Sequence, residues 1–144
     1  MSADNLFQFA NTLVLVGWAA LLASPWFPLW SHRIAGYLVP GLLSVAYGGL
    51  ILAFWAGAEG GFGSLDGVAA LFQTPELLLA GWLHFLAFDL FVGAWIVRDA
   101  RSRGLPFLLA LPCLPFAFLF GPIGFVAWLG IRAVAPLLPS ARAA

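Results

Sequence analysis

The chain has no lysine, and charged residues make up only 8% of its 144 positions. A soluble domain carries about 25%, so a soluble globular protein is excluded. The six basic residues are all arginine: Arg33, Arg98, Arg101, Arg103, Arg132 and Arg142. Six acids balance them to a net charge of zero, which gives nucleic acid nothing to bind. Cysteine is nearly absent. Cys113 stands alone in an apolar segment, which excludes an internal disulfide, a dithiol pair and a cysteine metal centre within one chain. Histidine is scarce too. His32 falls in a loop and His84 in an apolar run, at different depths, so paired histidine ligation is not expected. One histidine and one aspartate are too few ligands for a zinc site. There is no Gly-rich phosphate loop and no nucleophile elbow. A channel would need a polar path, which the apolar runs lack.

What is abundant is hydrophobic: 63% of the residues, with 14 Phe and 7 Trp. Mean hydropathy is +1.02. The expected fold is all-α, a polytopic membrane protein with a single integral domain over residues 1–144. Four transmembrane helices are expected, at about 6–23, 37–56, 77–97 and 106–131, each near the roughly 20 residues that cross a bilayer. Pro25 and Pro28 end the first. Pro40 falls in the first turn of the second, where proline is tolerated. Thr74, Pro75 and Glu76 suit the start of the third as cap, first-turn proline and first-turn acid. The fourth carries Pro112, Pro115 and Pro122 and should be kinked or broken. The Gly-rich stretch from Ala58 to Gln73 reads as a loop with a short interfacial helix at Leu65 to Phe72.

The N-terminus has Asp4 and no basic residue before its apolar run, unlike a secretory signal. It reads as a retained first helix, and the absence of an Arg- and Ser-rich leader favours a bacterial inner membrane. Arg33 and the Arg98–Arg103 loop fall on one side of the four-span scheme, Arg132 and Arg142 on the other. The positive-inside rule then puts both termini outside the cytoplasm. Trp26, Trp30, Trp55 and Trp128 lie near expected helix ends, as interfacial anchors do.

The informative segment is residues 77 to 97, LLLAGWLHFLAFDLFVGAWIV. An ionisable group at mid-bilayer costs roughly 3 kcal/mol on insertion scales, so such a group marks a functional site by default. At about 1.5 Å rise per residue, His84 lies roughly 10 Å below the outer face and Asp89 roughly 18 Å, near the midplane. The two point about 140° apart. Tyr47 and the Phe120-Gly121-Pro122 break fall at the depth of Asp89. Pro122 cannot donate to the carbonyl of Phe118, so Asp89 is expected to meet Tyr47 and the broken backbone at Gly121. Asn11 and Thr12 are the expected partners of His84. The structural alternative is that Asp89 and His84 only join helices by hydrogen bonds. For Arg98 and its neighbours it is topology alone. Gly81, Gly93, Gly121 and Gly124 are read as close-approach positions.

The run GWLHFLAFDLFVGAWIVRDA, followed by LPFLLALPCLPFAFLFGPIGF, resembles the ABA-deficient-four-like family of small four-helix membrane proteins. Its plant members are linked to neoxanthin formation from violaxanthin. The resemblance implies a membrane partner that is a carotenoid or related long apolar isoprenoid. In the plant reaction a 5,6-epoxide opens and a proton leaves a neighbouring carbon to give an allene. No net redox occurs, so no cofactor is implied. Such an isomerase needs an acid and a base. Carried to matched positions, the resemblance implies Asp89 as acid and His84 as base. Tyr47, Trp82, Phe85, Phe88, Gly121 and Pro122 would contact substrate, with Arg98 and Asp99 at the rim. The alternative is a non-catalytic carotenoid-binding or assembly subunit. Four helices barely enclose so long a ligand, which suggests a homodimer with a site at the seam.

Overall fold

The computed structural model describes residues 2–135, and every regular element in them is helical. The helices are α1 (Ala3–Leu22), α2 (Pro28–Gly57), α3 (Leu65–Leu71), α4 (Pro75–Ser102), α5 (Phe107–Ala110), α6 (Cys113–Leu119) and α7 (Gly121–Val134). Three of them, α1, α2 and α4, are long and apolar enough to cross a membrane. Helix α4 is the hub: Leu83, Leu90 and Ile96 are fully buried, packed with Leu21 of α1, Val39 of α2 and Trp128 of α7. Trp18 of α1 lies over Gly93, 2.6 Å from where a Cβ would sit, so only glycine lets the indole that close.

Local sequence explains the boundaries. The Ser2 hydroxyl accepts from the Asn5 amide and starts α1, and Ser64 does the same for α3 through Gly67. The interfacial helix expected at 65–72 is α3. Pro75 opens α4 at a position where a missing N–H costs nothing, although Thr74 makes no side-chain cap. Helix α2 begins at Pro28 rather than near Tyr37. Pro40 therefore sits inside a continuous helix. The strain is taken up just before it by a π-helical stretch, Ile34–Leu38, closed by the Val39 amide on the Ile34 carbonyl. A wider turn there removes the clash between the proline ring and the preceding carbonyls.

The expected fourth crossing is not what forms. Residues 107–134 make three short helices, and α6 and α7 fold back on each other at Phe120. At seven residues α6 spans about 10 Å, far short of a roughly 30 Å core. Phe120 takes φ −150°, ψ 75°, and its carbonyl accepts the amides of Ile123 and Gly124. Pro122 stands in the first turn of α7, where it starts a helix but cannot continue one. Gly124 lies directly on the Ala117 backbone, and a Cβ would come within 2.6 Å of the Ala117 Cα. A hairpin this tight tolerates no side chain there.

The hairpin changes the placement of charge. Arg132 Nη1 donates to Asp99 Oδ2 at 3.2 Å, so α7 ends beside the Arg98–Arg103 turn rather than opposite it. Ala3 and Asp4 share a cavity with Pro75, at the other end of α4. The expectation that Arg132 lies opposite the other arginines, with both chain ends on one side, is therefore corrected: residues 3 and 135 lie at opposite ends. Arg142 falls outside the described residues. Trp128 is corrected as well. It is fully buried and donates to Asp99, so it is a core residue and not an interfacial anchor. Trp26 and Trp30 do remain exposed.

Candidate functional site

Asp89 faces inward from α4 and is 6% exposed. Its carboxyl lies on Gly121, the first residue after the hairpin tip. A Cβ on Gly121 would overlap Oδ1, so the carboxyl occupies the space a side chain would take. The Gly121 backbone amide, left without an intrahelical partner at the start of α7, faces the same carboxyl. The second oxygen, Oδ2, is buried and has no hydrogen-bond partner among the described residues. Buried polar atoms are nearly always partnered, and an orphan of this kind requires an explanation.

Two apolar grooves meet at this carboxyl. One, of about 410 Å³, is lined by His84, Phe85, Phe88, Asp89, Val92, Gly121, Pro122 and Phe125. The other, of about 370 Å³, runs on the opposite side of the hairpin tip along Asn11, Leu15, Trp18, Trp82, Phe85, Asp89, Phe118 and Leu119. Phe85 and Asp89 border both. Aromatic rings pave the walls: Trp82 stacks on Phe85 with centroids 5.3 Å apart, and His84 on Phe88 at 4.6 Å. The surface is greasy, with one carboxyl set into it. An apolar wall with one convergent polar group is the usual makeup of a small-molecule pocket.

Six of the expected site residues, His84, Phe85, Phe88, Asp89, Gly121 and Pro122, thus line one groove, and Trp82 lines the other. The expected contact between Asp89 and Tyr47 is not made. The Tyr47 ring lies instead beside His84, centroids 5.7 Å apart. The π stretch upstream adds a residue to the turn and rotates α2 relative to a regular helix. The Asp89–Gly121 contact does form, but with the amide of Gly121 and not with the freed Phe118 carbonyl. His84 does not pair with Asn11 or Thr12. Asn11 accepts from the Trp82 indole at 3.1 Å and donates to the Phe7 carbonyl, and Thr12 donates to the Gln8 carbonyl.

Arg98 and Asp99 lie elsewhere, about 14 Å along α4 from Asp89. Asp99 Oδ2 accepts from Arg103 Nε at 2.9 Å, Trp128 Nε1 at 2.9 Å and Arg132 Nη1 at 3.2 Å. This cluster clamps the base of the hairpin to α4. Arg98 lines a separate cavity beside α1 and α2. Sequence reasoning missed Trp18, Phe118 and Phe125 as groove walls. The proline that breaks the last segment was the available signal for the latter two. Among the described residues no three His, Cys, Asp or Glu side chains converge as a metal site would require.

A family model described as ABA DEFICIENT 4-like matches residues 5–128, nearly all of the described chain. No curated protein and no solved structure matches it.

Proposed function

Because the chain belongs to the ABA DEFICIENT 4-like family, we propose that it acts on a carotenoid or related isoprenoid held in the grooves that meet at Asp89. The reaction is an isomerisation of the epoxide-opening or double-bond kind. The observation that carries this reading is the buried Asp89 Oδ2 with no partner, set where two aromatic grooves join. Oδ1 is steadied by Gly121, so Oδ2 is left to serve a guest.

With a 5,6-epoxide as guest, Asp89 in its acid form gives its Oδ2 proton to the epoxide oxygen. The C–O bond breaks, and a proton departs from a neighbouring carbon to leave an allene and an alcohol. Proton in and proton out balance, and no electrons are exchanged. His84 lines the same groove and is the base. It sits about 7.5 Å along the helix from Asp89, so the two side chains approach the guest at different atoms. Tyr47 borders His84 and orients its ring. Phe85, Phe88, Trp82 and Pro122 hold the polyene, and Arg98 and Asp99 take no part in the groove.

The charge pattern supports an orientation. Arg33, Arg98, Arg101, Arg103 and Arg132 gather at one end, whereas Asp4, Glu59, Asp66 and Glu76 belong to the other. By the positive-inside rule the arginine end is cytoplasmic and the N-terminus is outside. Of the membranes available, a bacterial inner membrane fits the reading.

The test is reconstitution with a 5,6-epoxycarotenoid. Wild type converts it, and Asp89→Asn retains the pigment without converting it. Equal turnover by wild type and Asp89→Asn would falsify the assignment. A second reading has its own support: the Gly121 contact gives Asp89 a structural task at the hairpin tip, as expected of a pigment-binding or assembly subunit. Pigment retained unchanged by wild type favours that reading.

A further inference from the structure

The arginine-bearing end holds a cavity that the proposed chemistry does not use. It measures about 340 Å³ and lies between α1, α2 and α4. Arg98 and Arg101, one helical turn apart on α4, stand at its rim with His32 of α2. Ser24 and Ser31, both buried, also line it. Below the rim its wall is apolar: Leu21, Leu29, Ala94 and Val97. An adjoining cavity of about 310 Å³ shares Arg101, Ser24 and Val97.

Among the described residues the charges of Arg98 and Arg101 have no acidic counterpart. Asp99 is the one acid at this end among the described residues, and its bonding oxygen is taken by Arg103 and Arg132. Neither Arg98 nor Arg101 has an acidic partner within ion-pair distance among the described residues. Two guanidiniums, an imidazole and two hydroxyls therefore face a pocket that holds no negative charge of its own. Guanidinium forks match the oxygens of a phosphate, singly or in pairs. Basic pockets between membrane helices on the cytoplasmic side are suited to anionic lipid headgroups. The π stretch begins at Ile34, two residues after His32, and Gly36 lets the ring lie close, 3.1 Å from Nδ1 to where a Cβ would sit. Irregular turns of this type recur at functional sites.

We propose that this cavity binds the phosphate-bearing headgroup of an anionic phospholipid, with Arg98 and Arg101 on the phosphate oxygens and an acyl chain along Leu29 and Val97. The apolar wall separates this occupant from free phosphate, which would leave the wall wet. The site is independent of Asp89, being on a different part of α4.

The test uses the full chain in nanodiscs of mixed phosphatidylglycerol and phosphatidylcholine, with native mass spectrometry of the lipid retained on release. Wild type is expected to keep phosphatidylglycerol at least fivefold over its share of the disc. The Arg98→Gln/Arg101→Gln pair should lose that preference, Arg101→Glu alone should weaken it, and Asp89→Asn should keep it. Both arginines are exposed and make no ion pair among the described residues, so the folded state persists in these variants; retention by wild type also tests the proposal without any substitution. Equal retention of the two lipids by wild type overturns it, and so does an unchanged preference in the double variant. Displacement of the lipid by millimolar inorganic phosphate assigns the site to a free anion and overturns the lipid assignment.

Discussion

Helix α4 carries two carboxylates that grip the same hairpin and are satisfied very differently. Asp99 holds the base, and one of its oxygens receives three side-chain donors, one from Arg103 just past α4 and two from α7. Asp89 holds the tip through a backbone contact with Gly121, and its other oxygen receives nothing. Ten residues apart on one helix, the first gathers three side-chain donors on one oxygen, as a structural clamp does, and the second keeps a buried oxygen without a partner among the described residues, as a binding group does. Burial of a polar group does not by itself distinguish structure from function; a buried oxygen left without a donor does, and of the two carboxylates only Asp89 has one. An oxygen that already holds three donors has little capacity for a ligand, whereas a buried orphaned one loses stability until a partner arrives.

The comparison can be broken or sharpened by substitution. The largest effect is expected from Asp89→Asn. Turnover of an epoxycarotenoid should fall by about 10²- to 10⁴-fold, the usual contribution of a general acid, while the melting temperature barely moves. A large loss of stability with turnover intact would make Asp89 a clamp like Asp99. Asp99→Ala should do the reverse. Losing an acceptor shared by two guanidiniums and an indole costs about 2 kcal/mol, seen as a lower melting temperature with pigment binding preserved at low temperature.

Gly121→Ala puts a methyl where Oδ1 lies. Overpacking of this kind costs about 1–3 kcal/mol, and displacement of the carboxyl should also reduce turnover. This variant tests whether tip and chemistry are coupled, because a stability change with unaltered turnover would uncouple them. Trp128→Phe removes one donor from Asp99 and leaves a small cavity where the larger indole was, an expected loss of about 1–2 kcal/mol. Tyr47→Phe should change stability by less than about 0.5 kcal/mol and turnover only slightly, since its hydroxyl does not reach Asp89. A severe Tyr47→Phe defect would mean that His84, its actual neighbour, depends on that hydroxyl.

Much of this arrangement was legible in the sequence. Counting rise per residue placed Asp89 and Gly121 at one depth, and they meet. The Thr74-Pro75-Glu76 start and the Leu65–Phe72 helix were readable from local chemistry, because caps and first-turn prolines act within a few residues. The hairpin was not readable. Residues 106–131 are apolar whether they cross the membrane or turn back halfway, and hydropathy does not separate the two. What decides it is Gly124 lying on the Ala117 backbone and Arg132 returning to Asp99, both long-range contacts. Tyr47 was misplaced for a local reason with distant effect: the π stretch at Ile34–Leu38 turns everything after it. Trp128 shows the limit of reading by position, since nearness to a helix end implied exposure and Asp99 drew the indole inside.

A hairpin that stops at half depth leaves a ledge. Gly121 meets α4 at Asp89 and Arg132 meets it at Asp99, so α7 covers that flank toward the arginine end; toward Pro75, Leu78 and Trp82 stand exposed. A stiff rod-shaped guest sliding in from the acidic end along Phe85 would meet the ledge head-on and stop with its leading ring against the carboxyl. Reach along the polyene would then be measured by the protein as a ruler measures, with the reacting end set by where the rod is halted.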